Sequence, residues 1–184
     1  MWGNRKTFIE FTFNYFGFLK ENYDMHIVDT KYEECIKFES KITWLELWYD
    51  RYSLFVEIGT NDGRYQISLL EIMQFVMGSE TSVSYTASDD ERLKNGLQFL
   101  SDFVKTYAHK ALLGDIDFFK EIEKNNEKNK EEIGNRNNLN YIEELAKAAW
   151  EKRDYYEVIK LYTPILKHLS ETQIKRLNLC KKMI

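Results

Sequence analysis

The stretch ITWLELWYDRYSLFVEIG, residues 42–59, constrains the fold more than any other, because apolar and polar positions alternate on both sides of a short turn. A period of two is the signature of a β-strand, in which successive side chains point to opposite faces. With Asp50 and Arg51 as a two-residue turn, Tyr49 pairs with Tyr52, Leu47 with Leu54, Leu45 with Val56 and Thr43 with Ile58. These pairs define a core face. The opposite face then carries Ile42, Trp44, Glu46 and Trp48 beside Ser53, Phe55 and Glu57, which is more aromatic than an idle solvent surface. Either the C-terminal helices pack over these rings, giving a sheet between helical layers, or part of the face stays open as an interaction patch.

The flanking segments extend the sheet. HIVDTKY at 26–32 and ECIKFES at 34–40 share the period of two, and the short links predict an antiparallel meander. Across a Ser40-Lys41 turn, Ile36 and Phe38 join Leu45 on the core face, while Cys35 and Lys37 join Trp44 and Glu46 on the other. Two hairpins therefore assign the faces alike. GTNDG at 59–63 reads as the exit from the fourth strand, since it lacks the lysine and Ser/Thr ending of a phosphate loop and the alternating acids of an EF-hand.

Helical spacing dominates elsewhere. Phe8, Phe11, Thr12, Tyr15 and Leu19 predict a helix over 7–21, and the chain reads as helical from Ser68 onward. Ser68 with Glu71, Ser88 with Glu91 and Ser170 with Gln173 fit the capping box, in which hydroxyl and carboxyl or amide satisfy orphan backbone donors; Asn140 with Glu143 and Asp154 with Glu157 are looser versions. Leu93, Leu97, Leu100, Val104, Tyr107 and Ala111 mark a long helix stopped at Gly114, and Phe99 and Phe103 widen its stripe beyond a coiled-coil seam. The run EKNNEKNKEEIGNRNNLN, 123–140, has no face to bury and reads as a frayed helix end followed by a mobile loop. Beyond it Tyr155, Val158, Ile159, Tyr162, Leu166 and Leu169 form another helical face, bent at Pro164. The expectation is a single compact α+β domain. It comprises an N-terminal helix and a four-stranded antiparallel meander (1–63), a helical region (64–122), the polar loop (123–140) and a helical tail (141–184), with about five helices bundled after the sheet.

Composition narrows the function classes. Twelve Phe, twelve Tyr and four Trp in 184 residues exclude a disordered chain. A net charge of -4 and a pI near 5.5 provide no general field for phosphate, which argues against nucleic acid and anionic membranes as partners. No apolar run approaches the roughly 20 residues that span a bilayer. The N-terminal MWGNRKTFIEFTFNYFGF, interrupted by Glu10, Asn14 and Gly17, lacks the small-residue cleavage site of a signal peptide. Cys35 and Cys180, without C-x-x-C spacing, read as reduced core thiols and a cytoplasmic location. His26, His109 and His168 stand apart, and neither a metal motif, a cofactor loop nor an activated nucleophile is expected.

What remains is the aromatic sheet face. Trp44, Trp48 and Phe55 would supply contact area, while Glu46 and Glu57, with Lys37 beside them, would select a basic protein partner. An alternative uses Glu46 and Glu57, diagonal in the predicted register, as the acid/base pair of a small hydrolase, with Trp44 and Trp48 stacking on sugar. A third reading is self-assembly into a homo-oligomer through the long amphipathic helix.

The segment AAWEKRDYYEVIKLYTPILKHLSETQIKRLNLCKK, 148–182, resembles a tetratricopeptide-type helix pair, with Ala149, Tyr155 and Tyr162 in matching places and no second copy at a fixed period. The order of an aromatic N-terminal helix, a meander containing YDRYSLFVEIG and a helical tail is similar to several small bacterial proteins, among them immunity-type proteins that neutralise toxins by binding them. That resemblance implies a non-catalytic binding protein and carries no individual residue's role.

Overall fold

The computed structural model describes residues 5–78, 81 and 85–184. The chain divides into two compact units between Asn126 and Glu127. In the first, the predicted N-terminal helix is two helices, α1 (Arg5–Phe16) and α2 (Phe18–Tyr23), interrupted at Gly17. The sheet follows as β1 (His26–Val28), β2 (Cys35–Glu39), β3 (Thr43–Asp50), β4 (Ser53–Thr60) and β5 (Gln66–Ser68), antiparallel and in sequential order. A short β6 (Tyr85–Thr86) pairs with Ser53 and Leu54 of β4. The described sheet therefore has six strands where the periodicity predicts four. Strands of three and two residues are too short to display a period.

The β3–β4 hairpin turns one residue later than expected. Arg51 and Tyr52 form the turn, with φ of 46° and 70°, so both central residues are left-handed as a type I′ turn requires. Asp50 then pairs with Ser53, Trp48 with Phe55, Glu46 with Glu57 and Leu45 with Ile58. Moving the turn by one moves every pairing by two, so each residue keeps its face. Neither turn residue is glycine, and the left-handed backbone costs about 1–2 kcal/mol at each. Contacts beside the turn offset this: the Ala87 amide donates to the Tyr52 carbonyl, and the Tyr49 hydroxyl donates to the Ala87 carbonyl at 2.7 Å.

On one face Ile36, Phe38, Leu45, Leu47, Leu54, Val56 and Ile58 are buried. They pack with Phe8 and Phe16 of α1, with Leu69, Ile72 and Met73 of α3 (Leu69–Met77), and with Leu93, Leu97, Leu100 and Val104 of α4 (Asp90–Tyr107). Each fully buried leucine contributes about 1.5–3 kcal/mol. Leu93, Leu97, Leu100 and Val104 of the α4 stripe are thus buried in the core of their own unit, while Phe99 and Tyr107 stay exposed. Ser68 caps α3 in the predicted box with Glu71. For α4 the cap is Asp89, not Ser88; its carboxylate accepts from the Arg92 amide, and a carboxylate is the better acceptor at a helix start. After α4 the chain breaks at Ala108, makes the short α5 (His109–Leu112), and stops at Gly114 as expected. There φ is 74°, and a β-carbon would meet Ile42 Cγ2 at 2.6 Å, so only glycine fits.

The polar run 123–140 is a helix rather than a loop: α6 spans Ile116–Glu151 without a break. The run's eight Lys, Glu and Arg residues favour a helix against its seven Asn and one Gly, the Lys128–Glu132 ion pair links successive turns, and the Asn126 amide donates to Glu71 of α3 at 2.7 Å. Asn140 accordingly lies inside α6 and caps nothing. In the second unit α7 (Tyr155–Tyr162) starts at Asp154, passes into a 3-10 helix (Thr163–His168) at Pro164, and is followed by α8 (Glu171–Met183), which has the predicted Ser170–Gln173 box. Ala146, Ala149, Val158, Tyr162, Leu177 and Cys180 form its core.

One carboxylate holds this unit's helices together. Glu143 accepts hydrogen bonds from the Tyr162 hydroxyl, from Gln173 Nε2 at 2.7 Å and from Arg176 at 3.1 Å. Burial pushes its carboxyl up, but these three donors outweigh it and hold the group below the usual range, while the Tyr162 phenol is pushed up to about 12 by burial and by Glu143. A depressed carboxyl stabilises above its unfolded pKa, and that stability is lost as pH falls through the folded value. Glu143→Ala is expected to cost about 1–3 kcal/mol at neutral pH by orphaning its donors. It should also flatten the loss of stability below about pH 4, as checked by urea unfolding of both proteins across pH. An unchanged acid limb would reject the linkage.

Candidate functional site

Strand alternation brings all six predicted residues, Lys37, Trp44, Glu46, Trp48, Phe55 and Glu57, to the sheet face opposite the core. Cross-strand pairing arranges them in rows. Val28, Lys37, Glu46, Glu57 and Ser68 form one, so the two glutamates are directly opposite rather than diagonal. Cys35, Trp48 and Phe55 form the second. His26, Glu39, Trp44, Gly59 and Gln66 form the third. No ring of these rows belongs to the core cluster of the unit. Phe55 is 42% exposed, and Tyr32, whose ring centroid lies 5.4 Å from that of Trp48, is 58% exposed.

Each large ring has a seat. Trp48 and Phe55 stack with centroids 6.0 Å apart and planes 8° apart, the favourable geometry of a directly opposed cross-strand pair. Trp44 lies over Gly59, where a β-carbon would approach the indole to 2.4 Å; glycine in mid-strand is the condition for that ring lying flat on the sheet. The Lys37 ammonium sits 5.1 Å from the Trp44 ring centroid. It also pairs with Glu46 at 3.6 Å and Glu39 at 3.5 Å, and Trp48 Nε1 donates to Glu46 at 3.3 Å.

The charge is lopsided. Glu34, Glu39, Glu46, Asp50 and Glu57 border the face with Lys37, while Arg5 and Arg51 share a neighbouring hollow with Glu34 beside the turn. Among the described residues Glu34, Asp50 and Glu57 have no ion pair, and with Trp48 and Phe55 they line an open hollow of about 450 Å³. Burial and the charge of Glu46 push the Glu57 carboxyl up, against a hydrogen bond donated by Gln66 Nε2 at 2.9 Å. Cys35, buried beneath the rings, has its thiol pushed up to about 12 by burial and by Glu46, so it remains a protonated thiol and a poor nucleophile. Both cysteines are free and buried. Among the described residues no group of three or more His, Cys, Asp or Glu is arranged to hold a metal ion, and no helix is long and apolar enough to cross a membrane.

Sequence reasoning missed four contributors. Asp50 was assigned to the turn but occupies the last pair of β3; Gln66 lies on the missed β5; Tyr32 and Glu34 sit in the link before β2. The alternation of TWLELWYD extended to Asp50 would have found the first, and no local signal marks the others.

Glu57 and Glu46 repel each other across the strands, and neutralising one relieves that repulsion. Glu57→Gln is expected to raise stability at pH 7 by about 0.2–1 kcal/mol, the scale of a cross-strand pair. A raised carboxyl destabilises above its folded pKa, so the gain should vanish as pH falls to the unfolded value; denaturant melts at pH 7 and pH 4 test this, and a destabilised variant at pH 7 would contradict it. In comparisons with protein families, curated proteins and solved structures, nothing matches this chain, so the reading of the face rests on its own geometry.

Proposed function

We propose that this chain is a non-catalytic binding protein, an immunity or regulatory factor in kind, whose aromatic and acidic sheet face docks a basic protein. The observation that carries this reading is the stacked Trp48–Phe55 pair, kept out of the core and bordered by three carboxylates, Glu34, Asp50 and Glu57, that have no ion pair among the described residues. A flat sheet of paired strands is rigid, so little ordering is lost on docking, and rings of this kind are the common anchors of protein interfaces. The surplus of carboxylates steers a cationic surface toward the face and repels anionic ones. The same surplus supports the exclusion of nucleic acid from this surface.

One observation favours a second reading. Glu46 and Glu57 stand directly opposite, with Glu57 inclined to hold its proton and Glu46 beside a lysine, which is the asymmetry an acid/base pair requires. Lys37 and Trp48 already engage Glu46, Gln66 engages Glu57, and the hollow is open to water, so the binding reading is the stronger.

The test is affinity capture from the native host with the wild-type chain and with Trp48→Ala, followed by titration of the captured partner. The expected partner is basic, stoichiometric and bound more weakly to the variant by more than about 1 kcal/mol, with unchanged circular dichroism. An acidic partner, or equal affinity for a folded variant, would remove the face from the interface. Turnover of a glycoside substrate by wild type and not by Glu57→Gln would transfer the reading to the hydrolase.

A further inference from the structure

We infer that the partner enters this face through an arginine, whose guanidinium lies against Trp48 and Phe55 and pairs with Glu57; the inference rests on the reading of the face as a docking surface for a basic protein. The face itself displays how it holds a cation. At one end, the Lys37 ammonium lies over the Trp44 ring at 5.1 Å and within 3.6 Å of two carboxylates, Glu39 and Glu46. At the other end the same parts recur without a cation among the described residues: the rings of Trp48 and Phe55, with Glu57, Asp50 and Glu34 around the hollow beside them. One half of the arrangement is filled by the chain's own lysine, and the other half is open.

The open half suits a guanidinium better than an ammonium. Trp48 and Phe55 are stacked on each other and both border the hollow, so a planar cation can lie against the outer surface of the stacked pair, and the carboxylates can receive the paired donors of a guanidinium. A guanidinium is also the more weakly hydrated cation, and so loses less on leaving water for an apolar wall. The Gln66 amide engages Oε2 of Glu57, which leaves Oε1 for the incoming group. Glu46, directly opposite Glu57 and paired on its other side with Lys37, adds its negative charge to that of Glu57 for an arriving cation. A cation bound there would face Glu57, Glu46 and Lys37 along one row, Asp50 on β3 and Glu34 in the link before β2, with Arg51 and Arg5 on the neighbouring hollow at Glu34 and, among the described residues, no cation lining the site itself.

The experiment uses two soluble peptides of equal length and charge, with Gly-Ser spacing, one carrying arginine and the other lysine at every basic position. Each is titrated calorimetrically into the full chain at fixed low ionic strength, using wild type, Glu57→Gln and Phe55→Ala. The arginine peptide is expected to bind roughly ten-fold more tightly to wild type, with the ratio falling toward one in both variants. Glu57→Gln conserves shape and removes a like-charge neighbour, and Phe55 is an exposed ring, so both variants keep the fold, as circular dichroism verifies. Equal binding of the two peptides, or a preference that survives Glu57→Gln, overturns the arginine inference and leaves the basic-partner reading intact. Failure of wild type to bind either peptide overturns both.

Discussion

The pairing of β3 with β4 is the constraint on which the rest of the first unit depends. These two strands form the longest ladder of the sheet, and their alternation decides which side chains enter the core and which are presented outward. Leu45 and Leu47 are fully buried, while the residues between and beside them carry the rings and acids of the other face. A slip by one residue would exchange the two sets, putting Glu46 and Glu57 into the core at a cost no packing recovers. A slip by two exchanges nothing. This explains how the chain can place two left-handed non-glycine residues at the turn: the contacts of Ala87, just after β6, and the added Asp50–Ser53 pair favour one of two registers that assign the same faces.

The same arithmetic explains what could be read in advance. Face assignment survives any even shift, so the positions of Trp44, Glu46, Trp48, Phe55 and Glu57 followed from alternation although the turn was placed one residue early. The relation between Glu46 and Glu57 did not follow, because diagonal and direct opposition differ by that even shift. Arg51-Tyr52 lacks the Asn-Gly or Asp-Gly chemistry that announces a type I′ turn. The strands β5 and β6 were invisible for a different reason: residues so few take their conformation from the edge of β4 rather than from their own pattern.

Helices were legible where a cap or a stripe marks them. Ser68, Asp154 and Ser170 start helices as read. The polar stretch within α6 shows no buried face, and its seven Asn and one Gly disfavour a helix; it is helical as the continuation of turns that are packed on either side of it, with help from pairs such as Lys128–Glu132. Glu143 was noticed only as a partner for Asn140. Its actual partners, Tyr162, Gln173 and Arg176, are 19, 30 and 33 residues away, beyond any local pattern.

Two glutamates in one chain show how differently a carboxylate can be used. Glu143 is enclosed by a phenol, an amide and a guanidinium, its proton affinity falls, and the group becomes a fastening between helices. Glu57 is partly buried, with one amide donor and a like charge opposite, its proton affinity rises, and nothing in the first unit's packing requires it to be charged. A glutamine at position 57 would accept from or donate to the same neighbours with less repulsion. An acid that costs stability where a neutral residue would serve is what the proposed docking of a positive group at this face would require.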